Sequence, residues 1–143
     1  MNIGFYIDSL KGEPDTIALY KELNELVESD EVDDISLFYN QVDFNPENPK
    51  FGLFNASEAW CFTGTMIANS VRNAMMAMNM INKFKLVYLY NKNDKNIFEL
   101  LSLPESVPIL ANTEEEAKYI YRVSGKPVKS TVKSIKDIVE VMK

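Results

Sequence analysis

The chain has 143 residues, 46% of them hydrophobic and 25% charged, which describes a folded domain with a real core and excludes a disordered chain. Fifteen Lys and Arg stand against 21 Asp and Glu, and the resulting charge of −6 argues against non-specific nucleic-acid binding, which needs a basic face. Histidine is absent and there is one cysteine, so histidine-based catalysis, histidine zinc sites and an intramolecular disulfide are all excluded.

In chain order, Asn2 to Ile7 reads as a short apolar strand. It runs into a polar loop from Asp8 to Gly12. A helix begins near Pro14-Asp15-Thr16, where proline suits the first turn and the acid complements the helix dipole. Its apolar stripe is Ile17, Leu19, Tyr20, Leu23, Leu26 and Val27. An acidic connector from Asp30 to Asp34 leads to a second strand, Ile35 to Tyr39. Asn40 to Lys50, with Pro46 and Pro49, has no helical period and reads as a surface loop, followed by a short strand at Phe51 to Phe54.

The central stretch, Glu58 to Asn91, predicts a βαβ unit. Ala59-Trp60-Cys61-Phe62 is its first buried strand and Thr63-Gly64-Thr65 the turn. A helix from Met66 carries the stripe Ile67, Val71, Ala74, Met78 and Ile81, and Lys85 to Tyr90 is the second strand. Met75 and Met78 are expected in the core, with Met76 and Met80 on another surface; Cys61 is expected to be a small buried hydrophobe. Beyond it come helical turns at Ile97 to Leu101 and a strand at Val107 to Ala111. A helix capped by Asn112 or Thr113 closes at Gly125, then follow a short strand at Lys126 to Ser130 and a final helix capped by Thr131 or Ser134. Lys126, Lys129, Lys133 and Lys136 read as a solvated face.

This alternation predicts a single three-layer Rossmann-like α/β domain over residues 1–143, with a mainly parallel open sheet and helices on both faces. No signal peptide or membrane span is readable, since no stretch nears the roughly 18 apolar residues a span needs. A cytoplasmic location is the expectation. Ligands of such folds bind beyond the carboxyl ends of the strands. The candidate ligand-binding residues are therefore Asp8, Thr63, Gly64, Thr65, Asn91, Asp94 and Asn112, with Asp8 the one catalytic candidate. Thr63-Gly64-Thr65 would offer helix-start amides to an anion or would merely cap the helix. Neither the GxGxxG nor the GxxxxGK[ST] fingerprint is present. Asp8 and Asp94 would act as a carboxylate pair only if they met unneutralised at one rim.

With that order of elements, the chain resembles the amino-terminal domain of GT-B glycosyltransferases, above all the phage DNA glucosyltransferases. The resemblance rests on Asn2 to Ile7, Asp34 to Leu37, the polar turn at Thr63 with its long helix, Lys83 to Tyr90, and Val107 to Lys129 with its Thr-Glu-Glu-Glu helix start. It implies a nucleotide-sugar or other anionic ligand, no metal, and, for a phage protein, the host cytoplasm. Those enzymes hold the donor mainly on a second domain. One domain alone implies a half-enzyme, a partner-dependent subunit or a non-catalytic descendant. The alternative is a non-catalytic interaction module with the Met-rich helix as its contact surface, forming a homodimer or meeting another protein.

Overall fold

The computed structural model describes residues 1–80 and 84–143. Ile81 of the expected helical stripe and Lys83 of the resemblance lie outside the described residues. The strands are β1 (Asn2–Ser9), β2 (Asp34–Gln41), β3 (Gly52–Asn55), β4 (Thr65–Ala68), β5 (Lys85–Leu89), β6 (Ile109–Ala111) and β7 (Ser130–Thr131). The α-helices are α1 (Pro14–Glu28), α2 (Val71–Met78), α3 (Glu114–Ser124) and α4 (Ile135–Met142), and 3-10 segments cover Ala56–Cys61 and Ile97–Ser102. The strands form one sheet in the order β3-β2-β1-β4-β5-β6-β7, and every neighbouring pair is parallel. This is the expected Rossmann-like α/β architecture. Among the described residues no helix is long and apolar enough to cross a membrane.

Side chains alternate across the sheet, as a pleated strand requires. Ile3, Phe5 and Ile7 of β1 join Ile35, Leu37, Ile67, Val87 and Leu110 on one face, under Tyr20, Leu23 and Leu26 of α1 and Ile135, Ile138 and Val139 of α4. Tyr6, Phe38, Met66, Ala68, Tyr88 and Ala111 point the other way, under α2, α3 and the 3-10 segments. Each fully buried Leu or Ile contributes about 2 kcal/mol from lost water contact. Both faces are therefore closed by helical layers, as a parallel sheet needs.

The helix boundaries follow their capping residues. Pro14 opens α1 with Asp15 in its first turn. Thr113 caps α3 by accepting a hydrogen bond from the Glu116 amide at 3.1 Å, and Gly125 ends it at φ 72°. Ser134 caps α4 in the same way through the Asp137 amide.

The central unit departs from its expected phase. Ala56–Cys61 is a 3-10 segment, and both Trp60 and Cys61 are exposed, where a buried strand was expected. The strand comes later, at Thr65–Ala68, and the helix starts at Val71 behind the cap Ser70. Met66-Ile67-Ala68 fits either a buried strand or a first helical turn, since both fill with apolar residues. Ser70, whose hydroxyl accepts from the Asn73 amide at 3.1 Å, fixes the true helix start. Gly64 therefore opens β4, at φ 140°, where an added Cβ would lie 2.4 Å from the Asn2 carbonyl oxygen. The methionines also differ in part. Met75 is half-buried and Met76 exposed as expected, but Met78 is exposed and Met80 packs against the core.

Gly64→Ala is accordingly expected to lower stability by roughly 3 kcal/mol in urea denaturation, through strain at positive φ and the clash with Asn2. A second expectation concerns pH. Glu22 of α1 accepts a hydrogen bond from the Ile135 amide at the start of α4. Its pKa is raised, first by burial and then by the charges of Glu25 and Asp137, against the lowering effect of that hydrogen bond. A carboxyl raised on folding binds its proton more tightly in the folded state, so its ionisation erodes stability as pH climbs past the ordinary 4.5 toward the folded value. Glu22→Gln removes that loss, so the stability of the variant relative to the parent should increase from pH 4 to pH 7 in denaturant titrations.

Candidate functional site

The strand order reverses between β1 and β4. The connection from β1 leaves through α1 toward β2, and that from β4 leaves through α2 toward β5 on the opposite face. The two connections part at the carboxyl ends of the central strands, the switch-point crevice at which open parallel sheets hold ligands.

A chain of polar side chains lines this crevice. Tyr6 and Asp8 of β1 and Asn40 of β2 point toward the α2 side, because they continue the alternation of Gly4 and Phe38. The Tyr6 hydroxyl donates to Asn40 Oδ1 at 2.7 Å. Asn40 Nδ2 donates to Asp8 Oδ1 at 3.1 Å and to Asn73 Oδ1 at 3.2 Å. Asn73, in the first turn of α2, is only 2% exposed, and among the described residues its Nδ2 is the one buried side-chain polar atom with no hydrogen-bond partner. Leaving such a donor unpaired costs about 1–3 kcal/mol. Burial, reinforced by the Asp8 charge, pushes the Tyr6 pKa up despite the hydrogen bond to Asn40. Tyr6 thus stays a neutral donor at neutral pH.

The neighbouring helix starts are already served by the protein's own groups. Asp94, after β5, accepts from the Val71 amide at 2.9 Å, the Tyr88 hydroxyl at 2.9 Å and the Asn96 amide at 3.0 Å. It supplies α2 with the negative charge its amino terminus attracts. The Tyr88 pKa is driven far upward, first by burial and then by the Asp94 charge. At α1, Pro14 has no amide hydrogen, Asp15 adds negative charge, and the β1–α1 loop is latched from outside. Gly12 N–H donates to the Phe44 carbonyl at 2.8 Å, Asn45 Nδ2 to the Leu10 carbonyl at 3.3 Å, and an added Cβ at Gly12 would meet Pro46 Cδ at 2.7 Å. Asn93 Nδ2 reaches across to Asp15 Oδ2 at 2.9 Å. A diphosphate would have to displace these contacts.

Of the residues expected in the site, Asp8, Asn91, Asp94 and Asn112 do follow or end strands at the carboxyl rim. Asp8 joins the polar chain. Asp94 is committed to three donors and is not one half of a free carboxylate pair. Asn91 accepts from the Asn93 amide and shapes the loop after β5, and the Asn112 amide donates to Glu116 Oε1 near the α3 start. Thr63, Gly64 and Thr65 are corrected. They lie at the amino end of β4, where Asn2 Nδ2 donates to the Thr63 carbonyl at 3.2 Å, so they are away from the crevice. Asn40 begins the Asn40 to Asp43 loop expected at the strand ends, whereas Tyr6 and Asn73 were not anticipated. The signal for Asn40 was available, since it follows the expected second strand at the carboxyl rim, but nothing in the helical stripe marks Asn73.

Among the described residues no group of three or more His, Cys, Asp or Glu could hold a metal ion. Two shallow grooves lie elsewhere, one beside Ala117, Tyr121 and Pro127, the other beside Met80, Phe84 and Pro108 toward the amino end of the sheet. The polar crevice is the candidate site because fold position and the unpaired donor coincide there. Asp94→Ala should cost about 2–4 kcal/mol in urea denaturation, since it strips the Val71 and Asn96 amides and the buried Tyr88 hydroxyl of their acceptor. No protein-family model, curated protein or solved structure matches this chain.

Proposed function

We propose that the domain binds a hydroxyl-rich, sugar-type ligand at the Asp8–Asn40–Asn73 crevice, as a glycosyltransferase-like domain that is not by itself a complete transferase. The observation that carries this reading is the unpaired Asn73 Nδ2 beside two side chains with complementary capacity. A sugar hydroxyl both donates and accepts. It could take the Asn73 amide hydrogen with its oxygen while neighbouring hydroxyls donate to the exposed Asp8 carboxylate. A phosphate fits less well, because Asp8 would repel it and Asp94 and Ser70 already occupy the first-turn amides of α2. Met76, one turn beyond Asn73, rests with its sulfur 3.7 Å from the Tyr6 hydroxyl. Its flexible side chain can swing aside to open the approach. Asp8 would orient an acceptor hydroxyl or take its proton, should a partner supply the donor.

The test is a thermal-shift titration with free hexoses and with nucleoside-diphosphate sugars. A ligand at a hundred times its dissociation constant should add about 2.7 kcal/mol of stability. Asp8→Ala and Asn73→Leu should abolish that gain, while Asn73→Leu alone alters the unliganded protein by no more than about 1 kcal/mol, since it also removes the unpaired donor. No gain with any sugar, or a gain both variants retain, would overturn the reading.

A further inference from the structure

We propose that the α2 side of the domain is a two-fold self-association surface. Among the described residues, eight of the ten large exposed hydrophobics lie on β3, α2, α3 and the 3-10 segments of this side, and α1 and α4 carry none. The most exposed flank α2: Trp60 at 68% on one side, Phe98 at 72% and Leu101 at 66% on the other. Exposed apolar groups gathered on one face of a domain mark an interaction site. The methionines contribute less than the 3-10 segments do.

The charges beside the patch are those that a second copy would match. Arg72 of α2 and Glu99 of the second 3-10 segment pair at 3.7 Å, 67% and 44% exposed, next to Phe98 and Leu101. A surface that must match itself across a two-fold axis needs both signs on the same patch, so that Arg72 of one copy meets Glu99 of the other and the reverse. Trp60, Phe98 and Leu101 each leave about two thirds of their surface open, so together they supply on the order of half of the roughly 800 Å² per partner of a stable interface, and the other exposed residues of this side supply the rest. This inference does not depend on the sugar reading, which concerns the strand ends.

Sedimentation velocity on the full chain, up to roughly 200 μM, should show a monomer–dimer equilibrium of micromolar strength. Arg72→Glu and Glu99→Arg, each alone, should weaken association about tenfold or more, since each sets like charges across the axis. An equimolar mixture of the two variants should restore it, because one copy then carries two acids and the other two arginines, although the pair within each copy stays broken. Leu101→Asp should abolish the dimer with far-UV circular dichroism unchanged. A parent chain monomeric throughout, or a mixture no stronger than its components, would overturn the proposal.

Discussion

The carboxylate of Asp94 is the interaction on which the carboxyl rim of this domain depends. It accepts from the first residue of α2, from buried Tyr88 on β5, and from Asn96 in the loop that follows. One side chain thereby fixes a helix start, a core hydroxyl and a loop, and the same loop reaches α1 through Asn93 and Asp15. Charge-assisted hydrogen bonds are stronger than neutral ones, and here they are partly shielded from water. The consequence reaches function. A helix amino terminus that draws its negative charge from within has little left to offer a phosphate.

The strand order and the latches act in opposite directions. Reversal of the sheet between β1 and β4 creates a crevice, whereas the loop from Val42 to Lys50 closes over the β1–α1 turn through Gly12 and Asn45. Between them lies the inner wall where Tyr6, Asn40 and Asn73 meet, with Tyr6 and Asn73 buried. Most of its hydrogen bonds are made, and the one that is missing is a donor. A missing partner for a donor calls for an acceptor, and the proposal of a neutral one rests on the Asp8 carboxylate beside it, which disfavours an anion.

Much of the fold was legible in the sequence because its signals are local. Pro14, Thr113, Gly125 and Ser134 mark helix ends through their own hydrogen bonds and dihedral angles, and all four are observed in those roles. The central unit was misphased because Met66-Ile67-Ala68 satisfies two periods at once, and the strand is selected by its pairing with β1 and β5 and by the Ser70 cap that starts the helix after it. Trp60 and Cys61 were read as core because aromatic and sulfur side chains usually are; instead they form part of the exposed α2 side. At the site, Asp8 and Asp94 were found by their place after strands. Their different roles were hidden, since the partners of Asp94 lie as far away as Val71 and those of Asp8 on another strand. Asn73 could be singled out only once its burial was known.

The most direct measurement of the central claim is a two-dimensional ¹⁵N nuclear magnetic resonance titration that follows the side-chain amide of Asn73 as a hexose is added. A new hydrogen bond to Nδ2 should move that resonance pair downfield together with that of Asn40, while the Asn91 and Asn112 pairs stay in place. An Asn73 side chain unmoved by every sugar offered would contradict a ligand site at the crevice and leave the unpaired donor a purely structural feature.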